Sequence, residues 1–561
     1  MNDRERLLRL QARIHRQLRD QVEAVLGAQP AEIARYEEEA ARDFRGVRLK
    51  PLDKAEVIRR LRAAQVTWIA DFHADPQNAR SALRLLRDAA QPGEDWVLGI
   101  EMVPSHHQED LDLFQSGELN QDEFLERIRY RETWGFPFSH YAPLLDWARK
   151  HGVRVLALNL PQLMPGKKSL QERDRWAAGL VTDLFLGLPK KQERRVVVLY
   201  GELHVAESHL PSELGQISKR ALGRSLRSLS IHQNNEKLYW RLARKGREQG
   251  TQAVELRSGS LCVFSSPPWV RLDSLLRWAE EEHPAIRPSE ADPIDEDSAF
   301  DPLAALERDG KALAEFLKLE PAPFDSLTAV GLGQAAQLWE LAAAEEGKLS
   351  SSERRLVRHL VDRNERFYLP GSRAAYLGTS TRAGTAELAA LHLLHHQNRE
   401  NGFCLTGRDD FFRLVTAQAF AFLGSLCLNP RRKCDLEEDH AQRITELQSR
   451  PRLGLADRAE LLARTATLTW LKTAPSVSGQ RIGKNRIPRS GLARWLCATY
   501  LGRILGMKLH QGLMRSKLKL ERLLPEFLEP AEQSKDWRKR HRRLLRAVKD
   551  LPLESSKREM L

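Results

Sequence analysis

Cysteine is scarce. Five residues in 561, Cys262, Cys404, Cys427, Cys434 and Cys497, form no Cys-x-x-Cys pair, which excludes a disulfide framework. The first residues, Met1-Asn2-Asp3-Arg4-Glu5-Arg6, lead into alternating apolar and charged positions, with no continuous apolar stretch of a signal peptide and no early cysteine to carry a lipid. No uninterrupted apolar run reaches the length of a membrane span, about 18 residues. These absences make a soluble, cytoplasmic protein the expected setting. Glycine and proline, 33 and 27 residues, stay near ordinary proportions, which excludes collagen-like and wholly disordered chains.

What is present is an apolar share of 42% and a charged share of 29%, enough for a sizeable core, over a length that suggests about three domains. The net charge of +13 is unevenly spread. Residues 461–520 hold twelve Lys and Arg and no acid, so the rest of the chain carries only +1. Residues 280–301 hold nine acids against Arg287, with Pro284, Pro288 and Pro293 between them; such composition reads as a solvated linker.

Leu7, Leu10, Ile14, Leu18, Val22 and Val25 recur at helical spacing, so residues 1–48 are expected to form a helical arm. From about 49 the texture changes. Val66–Ala70, Trp96–Ile100, Val153–Leu158 and Val196–Tyr200 are short buried-strand runs, with Ser228–Gln233 and Leu261–Ser265 as further candidates; amphipathic stretches at 78–89, 107–129 and 141–151 lie between. This alternation predicts an α/β domain over 49–279, a mainly parallel sheet covered by helices. After the acidic linker at 280–302, helix patterns at 303–318, 334–346, 351–364, 384–398 and 410–427 predict an all-helical domain over 303–561. Within 461–520 the apolar positions recur at helical spacing among Arg and Lys. Such a segment packs inside the protein, including on the acidic linker, or lies on an anionic membrane; a nucleic-acid partner ranks third. Oligomeric state is not legible.

One pattern occurs twice. Ala70-Asp71-Phe72-His73 and Gly201-Glu202-Leu203-His204 each follow an apolar strand run. Ligands of open α/β sheets gather outside the carboxyl ends of strands, and Glu101 and Asn159 stand at the ends of two further runs. Imidazole and carboxylate are nitrogen and oxygen ligands for zinc, manganese or iron, and a remaining carboxylate could act as base on a metal-bound water. Helix capping and turn bonding are the plain alternative for the same residues. His392 and His396, four apart on a predicted helix, and the aromatic group Trp134, Phe136, Phe138 and Tyr141 read equally as packing.

In order, these residues resemble the ChaN-like haem-binding domains of the Tiki superfamily, whose pattern is two Gly-x-x-His motifs at strand ends with a glutamate strand between. The second motif is intact at Gly201–His204; the first has Ala70 in the glycine position; Glu101 matches the glutamate. Gln108, Trp134, Tyr141-Ala142-Pro143-Leu144, Asn159-Leu160-Pro161 and His209-Leu210-Pro211 follow in the family's order, and the likeness extends towards Pro267-Pro268-Trp269 and Trp278. The resemblance implies a metal site at His73, Glu101 and His204, with Asp71 and Glu202 as accessory ligands or bases. It implies haem, or a divalent Mn, Zn or Fe ion, as the cofactor, with Tyr141, His140 and Asn159 as further contacts. Three functions stay open: haem binding, a metal-dependent hydrolase of peptidase or esterase type, and a non-catalytic scaffold. A closed His73–Glu101–His204 cluster favours an ion; a wide aromatic slot favours haem.

Overall fold

Continuous apolar runs become strands buried on both faces, as a parallel sheet requires. The computed structural model describes residues 2–161, 169–189, 192–282, 302–331, 349–378, 382–399, 408–473, 487–528, 536–552 and 560–561. The chain divides into two compact units, residues 15–299 with 560–561, and residues 1–14 with 300–559. Residues 1–14 thus group apart from 15–48. The expected acidic linker falls largely at 283–301, and the 334–346 helix pattern entirely, outside the described residues.

The first unit carries an eight-stranded sheet: β1 (Pro51–Leu52), β2 (Val66–Asp71), β3 (Asp95–Pro104), β4 (Arg154–Asn159), β5 (Arg194–Gly201), β6 (Ser228–Gln233), β7 (Ala253–Glu255) and β8 (Leu261–Val263), in the order β1-β7-β8-β6-β2-β5-β3-β4. Strands β8, β6, β2, β5, β3 and β4 run parallel; β7 and β1 add an antiparallel edge. The α/β expectation holds, and the six strands read from the sequence are all present. The sheet has a core on each face. Ile69, Leu98, Ile100, Val197 and Leu199 pack under the helices Lys54–Ala63, Pro76–Ala89, Gln108–Ser116 and Ala142–Lys150. Trp68, Ala70, Val97, Val198 and Tyr200 face the helices Ser169–Asp183 and Leu210–Leu222. Alternation along each strand sends neighbours to opposite faces.

Local sequence fixes where helices begin. Asp75 accepts the Gln77 N–H at 3.0 Å and Pro76 occupies the first turn, starting the Pro76–Ala89 helix immediately after the first histidine motif. Strand β3 overruns its partner: Ile100 pairs with Ala157, but Pro104 with Asn159, so three residues from Glu101 to Val103 on β3 face one on β4. A bulge of this kind re-aims a side chain, and the one re-aimed here is Glu101.

The second unit is mainly helical, with Pro302–Leu317, Ser351–Asp362, Arg382–Gln397, Arg408–Leu428, Glu437–Gln448, Leu455–Thr473, Gly491–Met514 and Trp537–Ala547 as its longer helices. It also holds a three-stranded sheet that the all-helical expectation did not include: β9 (Thr328–Val330), β10 (Phe367–Leu369) and β11 (Ala374–Tyr376), in the order β10-β11-β9. Three residues per strand are too few for a periodic signal. The Arg408–Leu428 and Gly491–Met514 helices cross where Gly502 and Gly506 have no side chain. A Cβ on Gly502 would lie 2.7 Å from the Val415 carbonyl oxygen, and one on Gly506 2.5 Å from that of Ala419. The apolar part of 461–520 therefore packs, at least over Leu492–Leu513, in this unit's core. Asp410–Leu428 is long and apolar enough to cross a membrane by length and composition, and most of it is buried inside the unit. His392 is also internal: Tyr368 Oη lies 2.9 Å from its Nδ1 and the Pro323 carbonyl 3.0 Å from its Nε2.

Candidate functional site

Parallel register sets the two histidine motifs side by side, one residue out of step. Asp71 of β2 pairs with Gly201 of β5, and the Glu202 N–H donates to the Asp71 carbonyl at 3.0 Å. Ala70 keeps a negative φ, so alanine in the glycine position costs the backbone nothing.

Beyond β2, the Asp71 carboxylate oxygen Oδ2 lies 2.8 Å from His73 Nδ1 and accepts the Tyr141 hydroxyl at 2.9 Å. With Nδ1 so engaged, the other ring nitrogen is turned to Glu101, whose Oε2 lies 3.7 Å from Nε2. His140 Nδ1 bonds the His73 carbonyl at 3.1 Å. The His73 ring is 21% exposed, whereas Asp71, Glu101 and Tyr141 are buried. Trp134 meets its edge at 4.6 Å between ring centres and Phe136 lies at 5.0 Å. Phe136 in turn stacks on Trp278 at 4.4 Å, and the Trp278 indole N–H holds the Gly135 carbonyl at 2.9 Å.

Beyond β5, His204 is buried and its Nδ1 lies 2.5 Å from Asp174 Oδ1. Asp174, on the Ser169–Asp183 helix, also accepts the Tyr36 hydroxyl at 3.4 Å. Tyr36 stacks on His209 at 4.1 Å, and His209 Nε2 lies 2.9 Å from Glu39. Two residues of the Ala31–Ala40 helix thus brace the second motif.

Gly201 lies between the motifs. A Cβ there would fall 3.2 Å from Glu101 Oε2, 3.3 Å from His73 Nε2 and 3.3 Å from His204 Cδ2. Its N–H donates to Glu101 Oε2 at 2.6 Å. The missing side chain is what lets the three expected ligand residues approach one another.

The electrostatics follow from burial and paired carboxylates. Burial alone would lower the His73 pKa, but Asp71, then Glu101 and Glu202, outweigh it and leave it raised. His204 is raised against burial in the same way, chiefly by Asp174. Burial, then the nearby Asp71, holds the Tyr141 phenol well above its ordinary value. Burial lowers His140.

His73, Glu101 and His204 thus converge, and Asp71, Tyr141 and His140 join them. Two other expected residues point elsewhere. Glu202 is ion-paired to Arg271 at 2.6 Å, and Arg271 lies over the Phe72 ring. Asn159 turns its Oδ1 to the Leu160 N–H at 2.9 Å. Among the described residues no three His, Cys, Asp or Glu side chains group closely enough to hold a metal ion as they stand. Sequence reasoning missed Asp174, Tyr36 and Glu39. They stand among other charges on amphipathic helices, and only the fold brings them to the histidines. Arg173, with Nη1 3.9 Å from Glu101 Oε1, was missed for the same reason.

Comparison with known proteins gives a family match over the part of the chain that holds the first histidine motif and Glu101. Residues 57–167 match the sequence model of the family described as haem-binding uptake, Tiki superfamily, ChaN. A search of curated proteins returns no match. Among solved structures, one described as cofacial heme binding to ChaN of Campylobacter jejuni is similar at 12% identity and a TM-score of 0.26, over 33% of this chain and 88% of that one.

Proposed function

We propose that the α/β unit binds haem at the carboxyl ends of β2, β3 and β5, where His73 would hold it through Nε2. The observation that carries this reading is the state of His73. Its Nδ1 is held by a buried carboxylate, and its ring is the part-exposed member of the cluster, against Trp134 and Phe136. A carboxylate on the far nitrogen fixes the tautomer and raises the basicity of a ligating imidazole, and histidine is an established haem ligand. Phe136 and Trp278 extend an apolar wall beside that nitrogen, a surface of the kind a flat macrocycle covers. The match of residues 57–167 to a haem-binding family supports the same reading.

Under this reading Tyr141 is a positioning residue, because its hydroxyl is donated to Asp71, and Glu101 would line the site facing His73 Nε2. Asp71 holds the proton on His73 Nδ1 and leaves Nε2 free to coordinate. Bound haem would supply the iron centre.

The test is haem titration followed in the Soret band, alongside metal analysis of untagged protein. Saturable binding that His73→Ala weakens is the expected result. Stoichiometric Mn, Zn or Co with no haem response would overturn the proposal, and haem binding indifferent to His73→Ala would remove that residue from the site.

A further inference from the structure

The Ser169–Asp183 helix brings a second charged side chain to the strand ends, one residue before Asp174. Glu101 turns one carboxylate oxygen, Oε2, to His73 Nε2 at 3.7 Å; Arg173 Nη1 approaches the other, Oε1, at 3.9 Å. That approach is an ion pair and not a hydrogen bond, since N–H···O bonds end near about 3.2 Å. The Arg173 guanidinium makes no hydrogen bond to any described residue, and the side chain is 23% exposed. Its charge still reaches the site, where it works against Asp174 and Glu101 on His204. Arg271 is the contrast: its guanidinium is committed to Glu202 at 2.6 Å and to the Asn234 carbonyl at 2.9 Å.

A second observation concerns the same helix. Trp176 stands three residues after Arg173, the spacing that places two side chains side by side on one face. It is a large apolar residue left 40% exposed, yet it is held in place: its indole N–H donates to Ser105 Oγ at 3.0 Å, immediately beyond β3. Arg173 and Trp176 thus meet the carboxyl end of β3 at Glu101 and Ser105. An uncommitted guanidinium beside an open aromatic ring suits a ligand with an apolar body and an anionic edge. The buried carboxylates of Asp71, Glu101 and Asp174 would repel such an edge unless a cation received it.

We propose that Arg173 receives a carboxylate of the bound ligand, which, resting on the haem reading, is a propionate of haem. A guanidinium fork matches a carboxylate through two parallel N–H···O bonds. Glu101 keeps the guanidinium near the site without consuming its donors.

Soret titrations of the full chain with haem and with haem dimethyl ester, whose propionates are capped and uncharged, test this. The readout is the ratio of the two affinities in the parent against that in Arg173→Gln, because the unequal solubility of the two compounds cancels in the comparison. The ratio in favour of haem is expected to fall about tenfold in Arg173→Gln, with ester affinity near that of the parent. Arg173→Lys, which keeps the charge without the fork, should restore only part of the preference. Since the ester does not use Arg173, its continued binding reports that the variant is folded. An unchanged ratio would overturn the proposal and leave the haem reading standing; this includes equal weakening of both compounds, which would make Arg173 a structural residue only. Failure of the parent to bind either compound would overturn the haem reading and this inference with it.

Discussion

Asp174 places its Oδ1 2.5 Å from Nδ1 of the buried His204, and does so from a helix that no histidine motif announces. The relationship repeats that of Asp71 with His73 on the neighbouring strand end, where the carboxylate is two residues away rather than thirty. His73 and His204 therefore each have one ring nitrogen fixed by an acid.

Replacing Asp174 by Ala strands a buried ring nitrogen, which costs about 1–3 kcal/mol, and is expected to lower the urea midpoint of the α/β unit. It should also weaken haem binding, since loss of a carboxylate behind a histidine typically costs about 10–100-fold in affinity. Haem affinity equal to that of the parent would separate His204 from the ligand site.

Histidine coordinates iron as the neutral ring. Because the His73 pKa is raised above the ordinary value of about 6.5, protonation should compete with haem at neutral pH, and affinity should climb as pH rises from 6 to 8. In Asp71→Asn the largest raising influence is gone, so the climb should shift to lower pH. Dissociation constants from Soret titrations across that range check both statements; a flat profile in the parent would contradict them.

Gly201→Ala puts a methyl group 3.2–3.3 Å from Glu101, His73 and His204 together. Glu101 and His204 are buried, so the neighbours must give way, and haem binding is expected to fall by more than tenfold while the circular dichroism stays that of the parent. Unchanged haem affinity in this variant would show that the three residues have slack at their point of approach.

Gly506→Ala brings a methyl group 2.5 Å from the Ala419 carbonyl, between two helices of the second unit. Overpacking of this kind costs about 1–3 kcal/mol or more. Urea unfolding should show the loss, and Gly454→Ala, where nothing lies within 4 Å of the added atom, should not.

The two units should answer pH in opposite directions. Burial holds His392 and His541 down to about 4 and His510 down to about 3 in the helical unit. Their folded values lie below the unfolded one, so the stability they contribute is present above about pH 6.5 and is lost as pH falls towards 4. In the α/β unit His73 and His204 are raised. Their contribution is present below about 6.5 and is lost as pH rises through the raised values. Hydrogen exchange at pH 5 and 8, corrected for its intrinsic pH dependence, should show helical-unit amides better protected at pH 8 and those around β2 and β5 better protected at pH 5. Parallel changes in both units would refute the assignment.

The parts of this fold legible in the sequence are those where a strand is buried on both faces. Val66–Ala70, interrupted only by Thr67, and Val196–Tyr200 are apolar runs, and the carboxylate and histidine following each are conspicuous against them. Strands β1, β7, β9, β10 and β11 have two or three residues each, and no period can be read over that length. The bulge that aims Glu101 is likewise invisible, because Glu101-Met102-Val103 continues the strand's composition without a break. The site was legible as far as the side chains that sit on strand ends. Glu202 was read as equivalent to Asp71 because it occupies the same place in its motif, but Arg271, nearly seventy residues later, claims its carboxylate. Pairing across such separations follows only from packing.

The pairing of Asp71 with Gly201 has one more consequence. Since the two motifs end on adjacent strands at a fixed one-residue offset, the distance between their imidazoles is a property of the hydrogen-bond ladder and not of either histidine. The ladder works as a ruler with fixed graduations: a slip of one residue turns every side chain to the opposite face, so only whole two-residue steps, or bulges such as that in β3, can reset the gap. Insertions near the ends of β2, β3 and β5 would therefore change how His73, Glu101 and His204 face one another, while substitutions at the histidines would leave that spacing as it is.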